Sequence, residues 1–310
     1  MQGGDGSVLI WVPTEPVADA LAGLDGVTVE VVSPAGADLP ASAARVEFYV
    51  PPFFPPPDAV TAMASMPALR VVQTLTAGFD RVRPHVPAGA VLCNARGAHD
   101  ASTAEWVVGA AVAVFRQFPY FAVEQAAGRW SYRFTDTLAG KRVLIVGYGS
   151  IGQALERRLA GFDVEVRRVA RSARHGVSPP LDLPELLPDA DVVILLAPVT
   201  RETAGMVDAA FLARMKDGAL LINAARGVLV VTDDLVEELR TGRLFAAVDV
   251  TDPEPLPADH PLWSLPNVLI TPHIGASNPY SLRMANKLVR AQAERYLAGQ
   301  PLANVITGEY

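Results

Sequence analysis

Residues 143–152 read VLIVGYGSIG: an apolar run that stops on Gly147-x-Gly149-x-x-Gly152 and continues as QALERRLAG. The apolar run suits a strand covered on both faces, and the stretch after it has helical periodicity. Each glycine between them has a physical reason. The first permits the tight turn, the second lets backbone approach a pyrophosphate, and the third lets helix and strand pack closely. The amides of Ser150 and Ile151 open the helix, where free N–H groups and the positive end of the dipole favour phosphate. A strand–GxGxxG–helix unit is therefore expected to bind a dinucleotide.

Reading outward, the same alternation of short apolar runs and helix-like stretches fills the chain. Strands are expected at 7–12, 27–32, 45–50, 69–75 and 90–95, then at 141–147, 164–170, 191–197, 218–224, 244–250 and 267–272. This pattern predicts an α/β chain with parallel sheets, and its 310 residues suit two doubly wound domains. The break is placed near NARGAHDAS (94–102), where a long helix is expected over 103–125. An amphipathic tail from Ser281 is expected to return to the first domain, giving domains of 1–98 plus 281–310 and 99–280.

Composition narrows the function. A net charge of −7 argues against a nucleic-acid or anionic-membrane binder. The single Cys93 excludes an intramolecular disulfide framework, and 106–115 is too short an apolar run to span a bilayer. Residues 1–13 lack the basic and long apolar regions of a signal peptide, so a cytoplasmic protein is expected.

Discrimination between nicotinamide dinucleotides rests on the end of the second strand, where an NAD site usually carries an acid for the ribose 2′-hydroxyl. About 18 residues past Gly152 stands Ala170, followed by Arg171 and Ser172, with Arg174 nearby. Arg and Ser suit a 2′-phosphate. NADP(H) is favoured on this ground and NAD(H) is possible.

Three further strand ends carry chemistry. LLINAARGVLVV (220–231) sets Arg226 and Gly227 at a strand tip, with Gly227 expected to let the chain turn away. AAVDVTDPEPLP (246–257) brings Asp249 and Glu254, and NVLITPHIGAS (267–277) brings His273. In open α/β sheets the carboxyl edge of the strands is where ligands bind. PPFFPPP (51–57) is either a rigid connector or an apolar wall offering Phe53 and Phe54.

Taken in order, TLTAGFDRV (74–82), STAEWVVG (102–109), VGYGSIG, INAARGVLV, DVTDPEPLPADHPLW and TPHIGAS resemble the D-isomer-specific 2-hydroxyacid dehydrogenase family over nearly the whole chain. The resemblance implies a flavodoxin-like substrate domain, a Rossmann cofactor domain, a cleft between them and a homodimer. It implies hydride transfer between a nicotinamide cofactor and a small 2-oxo or D-2-hydroxy acid such as glyoxylate or hydroxypyruvate. Arg226 would bind the substrate carboxylate and keto oxygen, His273 would be the general acid and base, and Glu254 would fix the imidazole tautomer. Ala77 and Gly78 would offer N–H groups to the carboxylate, with Phe53 lining the pocket. Thr103, Pro198, Ala224, Asp249 and Gly275 would line the cofactor. No metal is implied.

The resemblance also sets branches apart. Glu254 and Thr76 do not match the formate and phosphite enzymes, and an added regulatory domain is not expected, since the chain ends soon after its closing helix. A dinucleotide-sensing regulatory protein of the same fold is the rival reading. His260 is expected in surface or loop structure, His99 in the hinge is not expected to touch cofactor or substrate, and His85 and His175 stand in no motif; Trp263 is expected to pack and Cys93 to be an inert buried thiol.

Overall fold

A computed structural model describes residues 7–34 and 38–308. Residues 1–6, on which the absence of a signal peptide partly rests, lie outside the described residues, as do 35–37 and 309–310. The chain divides into two compact units, 1–99 with 278–310 and 100–277.

The elements follow in chain order. The first segment of unit 1 contains β1 (Val8–Val12), α1 (Glu15–Leu21), β2 (Val27–Val31), β3 (Val46–Tyr49), α2 (Pro57–Thr61), β4 (Val71–Gln73) and β5 (Val91–Cys93). Unit 2 opens with α3 (Asp100–Phe115), α4 (Phe118–Ala126), β6 (Arg142–Val146), α5 (Ser150–Leu159) and β7 (Glu165–Val169). It continues with α6 (Leu183–Leu186), β8 (Val192–Leu195), α7 (Ala209–Arg214), β9 (Leu220–Asn223), α8 (Thr232–Arg240), β10 (Phe245–Val248) and β11 (Val268–Ile270). The chain then returns to unit 1 as α9 (Pro279–Leu297).

Unit 1 is a parallel five-stranded sheet of order β2-β1-β3-β4-β5, the flavodoxin-like arrangement. Asn278 caps α9 by accepting from Ser281 N at 3.0 Å, and Pro279 sits in the first turn where no N–H is needed. The apolar stripe Ala285, Val289 and Ala293 of α9 is buried with Val17 and Leu21 of α1.

Unit 2 is a parallel six-stranded sheet of order β11-β10-β9-β8-β6-β7. Its strands read as unbroken apolar runs because both faces are covered. Leu144, Val146, Val193, Leu195 and Leu221 pack toward Leu187, Phe211 and Leu235. Their neighbours Val143, Ile145, Val192, Ile194 and Leu220 pack toward α3 and α5. Burial of each such side chain contributes roughly 1.5–3 kcal/mol.

All the expected strands form, but the helix expected over 103–125 does not run through. It breaks between α3 and α4 with a 64° bend. Pro119 lacks an N–H and its ring would strike the carbonyl four residues back, that of Phe115. Gln117 takes φ 53°, and the Phe115 carbonyl accepts instead from Asp136 N at 3.1 Å. Among the described residues no single helix is long and apolar enough to cross a membrane.

Candidate active site

Register aligns the strand ends of unit 2. Ile270 pairs with Val248, Val248 with Asn223, Asn223 with Leu195, Leu195 with Val146, and Val146 with Val169. One row of residues thus crosses the sheet at its carboxyl edge. Just beyond it come His273, Asp249, Arg226, Pro198, Gly147 and Arg171. Six segments distant in sequence meet at one edge because every strand runs the same way.

At the β10–β11 end, His273 Nδ1 lies 2.7 Å from Glu254 Oε1. An ionised carboxylate only accepts, so Nδ1 carries the proton and Nε2 is the atom that can gain or lose one. The turn carrying His273 is held from below by Asp249, which is 4 % exposed. Its carboxylate accepts from Thr271 Oγ1 at 2.6 Å, Ile274 N at 2.8 Å and Gly275 N at 2.8 Å, and its carbonyl accepts from His273 N at 2.7 Å. His273 itself takes φ 55°. A left-handed non-glycine residue costs about 1–3 kcal/mol and persists where its surroundings over-determine it, as these bonds do. A Cβ at Gly275 would sit 3.0 Å from Asp249 Oδ2, so glycine there keeps the carboxylate bond. The Gly275 carbonyl accepts from Ser102 Oγ at 2.5 Å, which ties the turn to α3 beside the buried Thr103.

Arg226 is half-buried after β9, and its Nη1 donates to the Ala225 carbonyl at 2.7 Å. Asn223, 1 % exposed, shapes this bend: Nδ2 donates to the Arg226 carbonyl at 2.9 Å and Oδ1 accepts from Ala225 N at 3.1 Å. The chain turns at Gly227, which opens a 3-10 turn over Gly227–Leu229, but without a positive φ. A Cβ there would lie 2.0 Å from the Thr251 carbonyl oxygen, so glycine is required by close approach to the segment that leads to Glu254.

The Gly-rich turn gives each glycine a distinct setting. Gly147 has φ 105°, and a Cβ on it would strike Ala197 N at 2.3 Å, between the adjacent strands β6 and β8. A Cβ on Gly152 would approach the Gly147 carbonyl at 3.0 Å, whereas one on Gly149 would meet nothing within 4 Å. Backbone is thus open at the exposed N-cap of α5, the cradle a pyrophosphate requires. Ser150 and Ile151 begin the helix, and Ser150 Oγ donates to Asp100 Oδ1 at 3.0 Å. Pro198 is exposed after β8, its carbonyl accepting from Thr203 Oγ1 at 2.6 Å, and Ala224 is half-buried after β9.

Past β7, Arg171, Ser172 and Arg174 are exposed. Among the described residues no acidic side chain follows this strand before Asp182. Glu165 stands at its opposite end, paired with Arg167 at 3.0 Å.

Unit 1 carries its own turn at the end of β4. Thr74 Oγ1 donates to the Thr76 carbonyl at 2.7 Å, Thr76 Oγ1 to the Gly78 carbonyl at 2.6 Å, and Asn94 Nδ2 to the Ala77 carbonyl at 2.7 Å. The carbonyls are thereby engaged, while among the described residues neither Ala77 N–H nor Gly78 N–H meets an acceptor. Phe53 is half-buried, edge-on to Phe54 at 5.0 Å and to His99 at 5.6 Å. His99 is a core residue, its Nε2 2.7 Å from the Leu75 carbonyl. Trp263 is not packed as expected: it is 52 % exposed and donates Nε1 to the Pro257 carbonyl at 2.8 Å. Cys93 is buried, which pushes its thiol up to about 11.

Asn223, Ser102, Thr271 and Asn94 escape the sequence reading. Asn223, an Asn at a strand end two residues before a bend, carried a legible turn signal. The other three act through partners remote in sequence.

Residues 108–275 match the family model described as D-isomer specific 2-hydroxyacid dehydrogenase, NAD binding domain. The chain belongs to this family. The dehydrogenase is therefore a nicotinamide-dependent oxidoreductase acting between 2-hydroxy acids and 2-oxo acids. It is 33 % identical over 264 residues to a glyoxylate reductase of Thermofilum pendens, covering 80 % of this chain and 75 % of that one. A D-isomer specific 2-hydroxyacid dehydrogenase of Xanthobacter autotrophicus, solved with NADPH, superposes with a TM-score of 0.84 at 28 % identity, covering 97 % of this chain and 98 % of that one. An NADPH-dependent glyoxylate/hydroxypyruvate reductase of Sinorhizobium meliloti, solved with NADP and sulfate, gives a TM-score of 0.80 at 30 % identity, with 97 % and 98 % covered.

Proposed function

We propose that the dehydrogenase reduces small 2-oxo acids of the glyoxylate and hydroxypyruvate class, with NADPH preferred over NADH. The observation that carries the reaction is the His273–Glu254 pair, 2.7 Å apart, on the same sheet edge as Arg226. The glyoxylate reductase among the relatives and the NADPH and NADP complexes among the solved structures support the substrate class and the cofactor.

The Gly147–Gly152 turn with Ser150 and Ile151 would hold the pyrophosphate. Pro198, Ala224, Thr103, Asp249 and Gly275 would flank the rest of the cofactor, and Arg171 and Ser172 would meet the 2′-phosphate. When bound, the reduced nicotinamide supplies a hydride to the substrate carbonyl carbon. The Arg226 guanidinium would grip the carboxylate and draw electron density onto the keto oxygen. His273 Nε2 would deliver a proton to that oxygen, and in oxidation would remove it from the hydroxyl. Glu254 keeps the proton on Nδ1 throughout, as an orienting acid does for a triad histidine. In unit 1, the Ala77 and Gly78 N–H groups would take a carboxylate, with Phe53 as an apolar wall.

A second feature supports a homodimer. Trp130, Tyr132 and Phe134 are 100 %, 86 % and 90 % exposed. Polar residues beside and between them anchor the segment to α4 and its N-cap: Arg129 and Ser131 bond to Glu124, and Arg133 bonds to Gln117 Oε1 at 2.9 Å. At ~150–250 Å² each, the three rings offer most of the ~800 Å² per partner that a stable interface buries. Sedimentation is expected to give a dimer that W130S with F134S dissociates; a monomeric parent would overturn this reading.

The function is tested by loss of reduced-nicotinamide absorbance with glyoxylate, hydroxypyruvate, pyruvate and phenylpyruvate, each with NADPH and NADH. Turnover is expected with the first two and NADPH. Cofactor binding without turnover on any 2-oxo acid would shift the reading to a regulatory sensor.

A further inference from the structure

The turn after β4 is tied down at every carbonyl from Thr74 to Gly78. Gln73 Nε2 donates to the Thr74 carbonyl at 2.9 Å, and His99 Nε2 lies 2.7 Å from the Leu75 carbonyl oxygen. The Thr76 carbonyl accepts from Ala95 N at 2.9 Å as well as from Thr74 Oγ1. Asn94 Nδ2 and Thr76 Oγ1 take the Ala77 and Gly78 carbonyls. With each carbonyl fixed, the same peptide planes fix the direction of the Ala77 and Gly78 N–H groups.

Two of these donors are themselves held from the far end of the chain. After α9, residues 301–306 return along β5, with Val305 opposite Cys93 in antiparallel register and Ile306 N donating to the Leu92 carbonyl at 2.9 Å. Asn304 takes φ 52° here, a conformation that Asn visits more readily than most residues. Its carbonyl accepts from Asn94 N at 3.2 Å, and its Nδ2 donates to the Asn94 carbonyl at 3.3 Å and the Arg96 carbonyl at 3.0 Å. Asn94 is thus gripped at both backbone groups, and its side chain carries the hold to Ala77. A second path runs through the core. Gln292 of α9, 1 % exposed, accepts from Ala303 N at 2.8 Å and donates to the Ala303 carbonyl at 2.9 Å and to Gln73 Oε1 at 3.0 Å. Gln73 is equally buried and hands the constraint to the Thr74 carbonyl. Buried amides are costly unless satisfied, and once satisfied they rigidify what they join.

We propose that the C-terminal segment sets the geometry of the substrate-carboxylate turn, with Asn304 and Gln292 as its positioning residues. The inference rests on the reading above that the Ala77 and Gly78 N–H groups take the carboxylate. Asn304 acts through Asn94 on the Ala77 end of the turn, and Gln292 acts through Gln73 on the Thr74 end. A donor whose direction is fixed before the anion arrives binds it without an ordering cost. The segment therefore contributes to substrate affinity rather than to hydride or proton transfer.

Oxalate, an unreactive carboxylate, tests this on the full chain with NADP+ present, read by the backbone-amide NMR signals of Ala77 and Gly78 and paired with glyoxylate kinetics. In the parent, both signals are expected to shift as oxalate is added. Asn304→Gly keeps the left-handed φ without strain and deletes the amide that grips Asn94 and Arg96. It is expected to raise the oxalate Kd and the glyoxylate KM by about 5–20-fold, with kcat changed by less than about threefold and NADPH affinity unchanged. Asn304→Asp keeps the shape but cannot donate, and is expected to do the same. Gln292→Leu is expected to raise both constants by a smaller factor, because Gln73 keeps its own bond to Thr74. Asn286→Ala removes an α9 bond to the Pro16 carbonyl that does not lead to this turn, and is expected to leave both constants at parental values. Parental oxalate affinity in both Asn304 variants would overturn the proposal. A loss that Asn286→Ala reproduces, or one that lowers kcat and NADPH affinity alongside, would overturn it too, because general loosening of the unit would then be the cause. No oxalate binding to the parent, or binding that leaves the Ala77 and Gly78 signals in place, would instead overturn the carboxylate reading on which the proposal rests.

Discussion

At the β10–β11 end of the second sheet, the buried Asp249 carboxylate accepts three hydrogen bonds from the turn that carries His273. At the β7 end of the same sheet, Arg171, Ser172 and Arg174 stand in solvent. The two ends answer different physical demands. Proton transfer needs a donor within hydrogen-bond reach of one atom, and a misplacement of about 1 Å can cost ~100-fold in rate. A phosphate is a large, strong charge that a long guanidinium arm can meet from several positions. The end proposed to react is therefore built from buried polar bonds, and the end that faces the proposed 2′-phosphate from exposed side chains.

Substitutions can break this contrast at either end. The largest effect is expected from His273→Ala, with kcat reduced by ~100–10,000-fold and NADPH affinity nearly unchanged. Near-parental turnover would remove His273 from the role of acid. Asp249→Ala follows. It leaves the Thr271 hydroxyl and two backbone N–H groups without their acceptor, at a cost of about 2–4 kcal/mol in unfolding free energy, together with loss of turnover. Denaturant titration that found no loss of stability would show that the His273 turn holds itself.

Arg171→Asp probes the exposed end. It is expected to leave the fold unchanged and to move the NADPH-to-NADH affinity ratio by more than about tenfold toward NADH, because a carboxylate repels phosphate and accepts from ribose hydroxyls. An unchanged ratio would take Arg171 out of cofactor recognition.

The smallest effect concerns Glu156. Its hydrogen bond from Arg168 holds the carboxyl below its ordinary range. A depressed carboxylate contributes stability that is present above its unfolded pKa of about 4.3 and lost as pH falls through the lower folded value. Glu156→Gln is expected to lower stability by about 1 kcal/mol at neutral pH and to flatten the acid limb below roughly pH 4.5. A stability–pH curve that keeps its parental slope would show that Glu156 is not a source of the acid sensitivity.

Much of the fold was legible because parallel strands covered on both faces must be apolar throughout, as 143–146, 192–195 and 220–222 are. The α3–α4 break was misread because apolar periodicity continues across it, although Pro119 was in plain view. Chemically distinctive residues at strand ends, Arg226, Glu254 and His273, were legible one by one. Their supports were not, since Asn94, Ser102 and Thr271 are ordinary polar residues whose partners lie elsewhere in the chain.

By itself the sequence determined the α/β class, the Gly-rich strand–turn–helix and the set of chemically distinctive residue types, because these depend on local periodicity and on glycines within a few positions of each other. Only the tertiary structure decided that Gly227 is glycine because the Thr251 backbone presses against it, that Asp249 holds the His273 turn, and that Tyr148 lies beside both Arg168 and Arg174. Each of those facts is a contact between segments that share no local pattern. Close packing of separate strands creates it, and no window of sequence contains it.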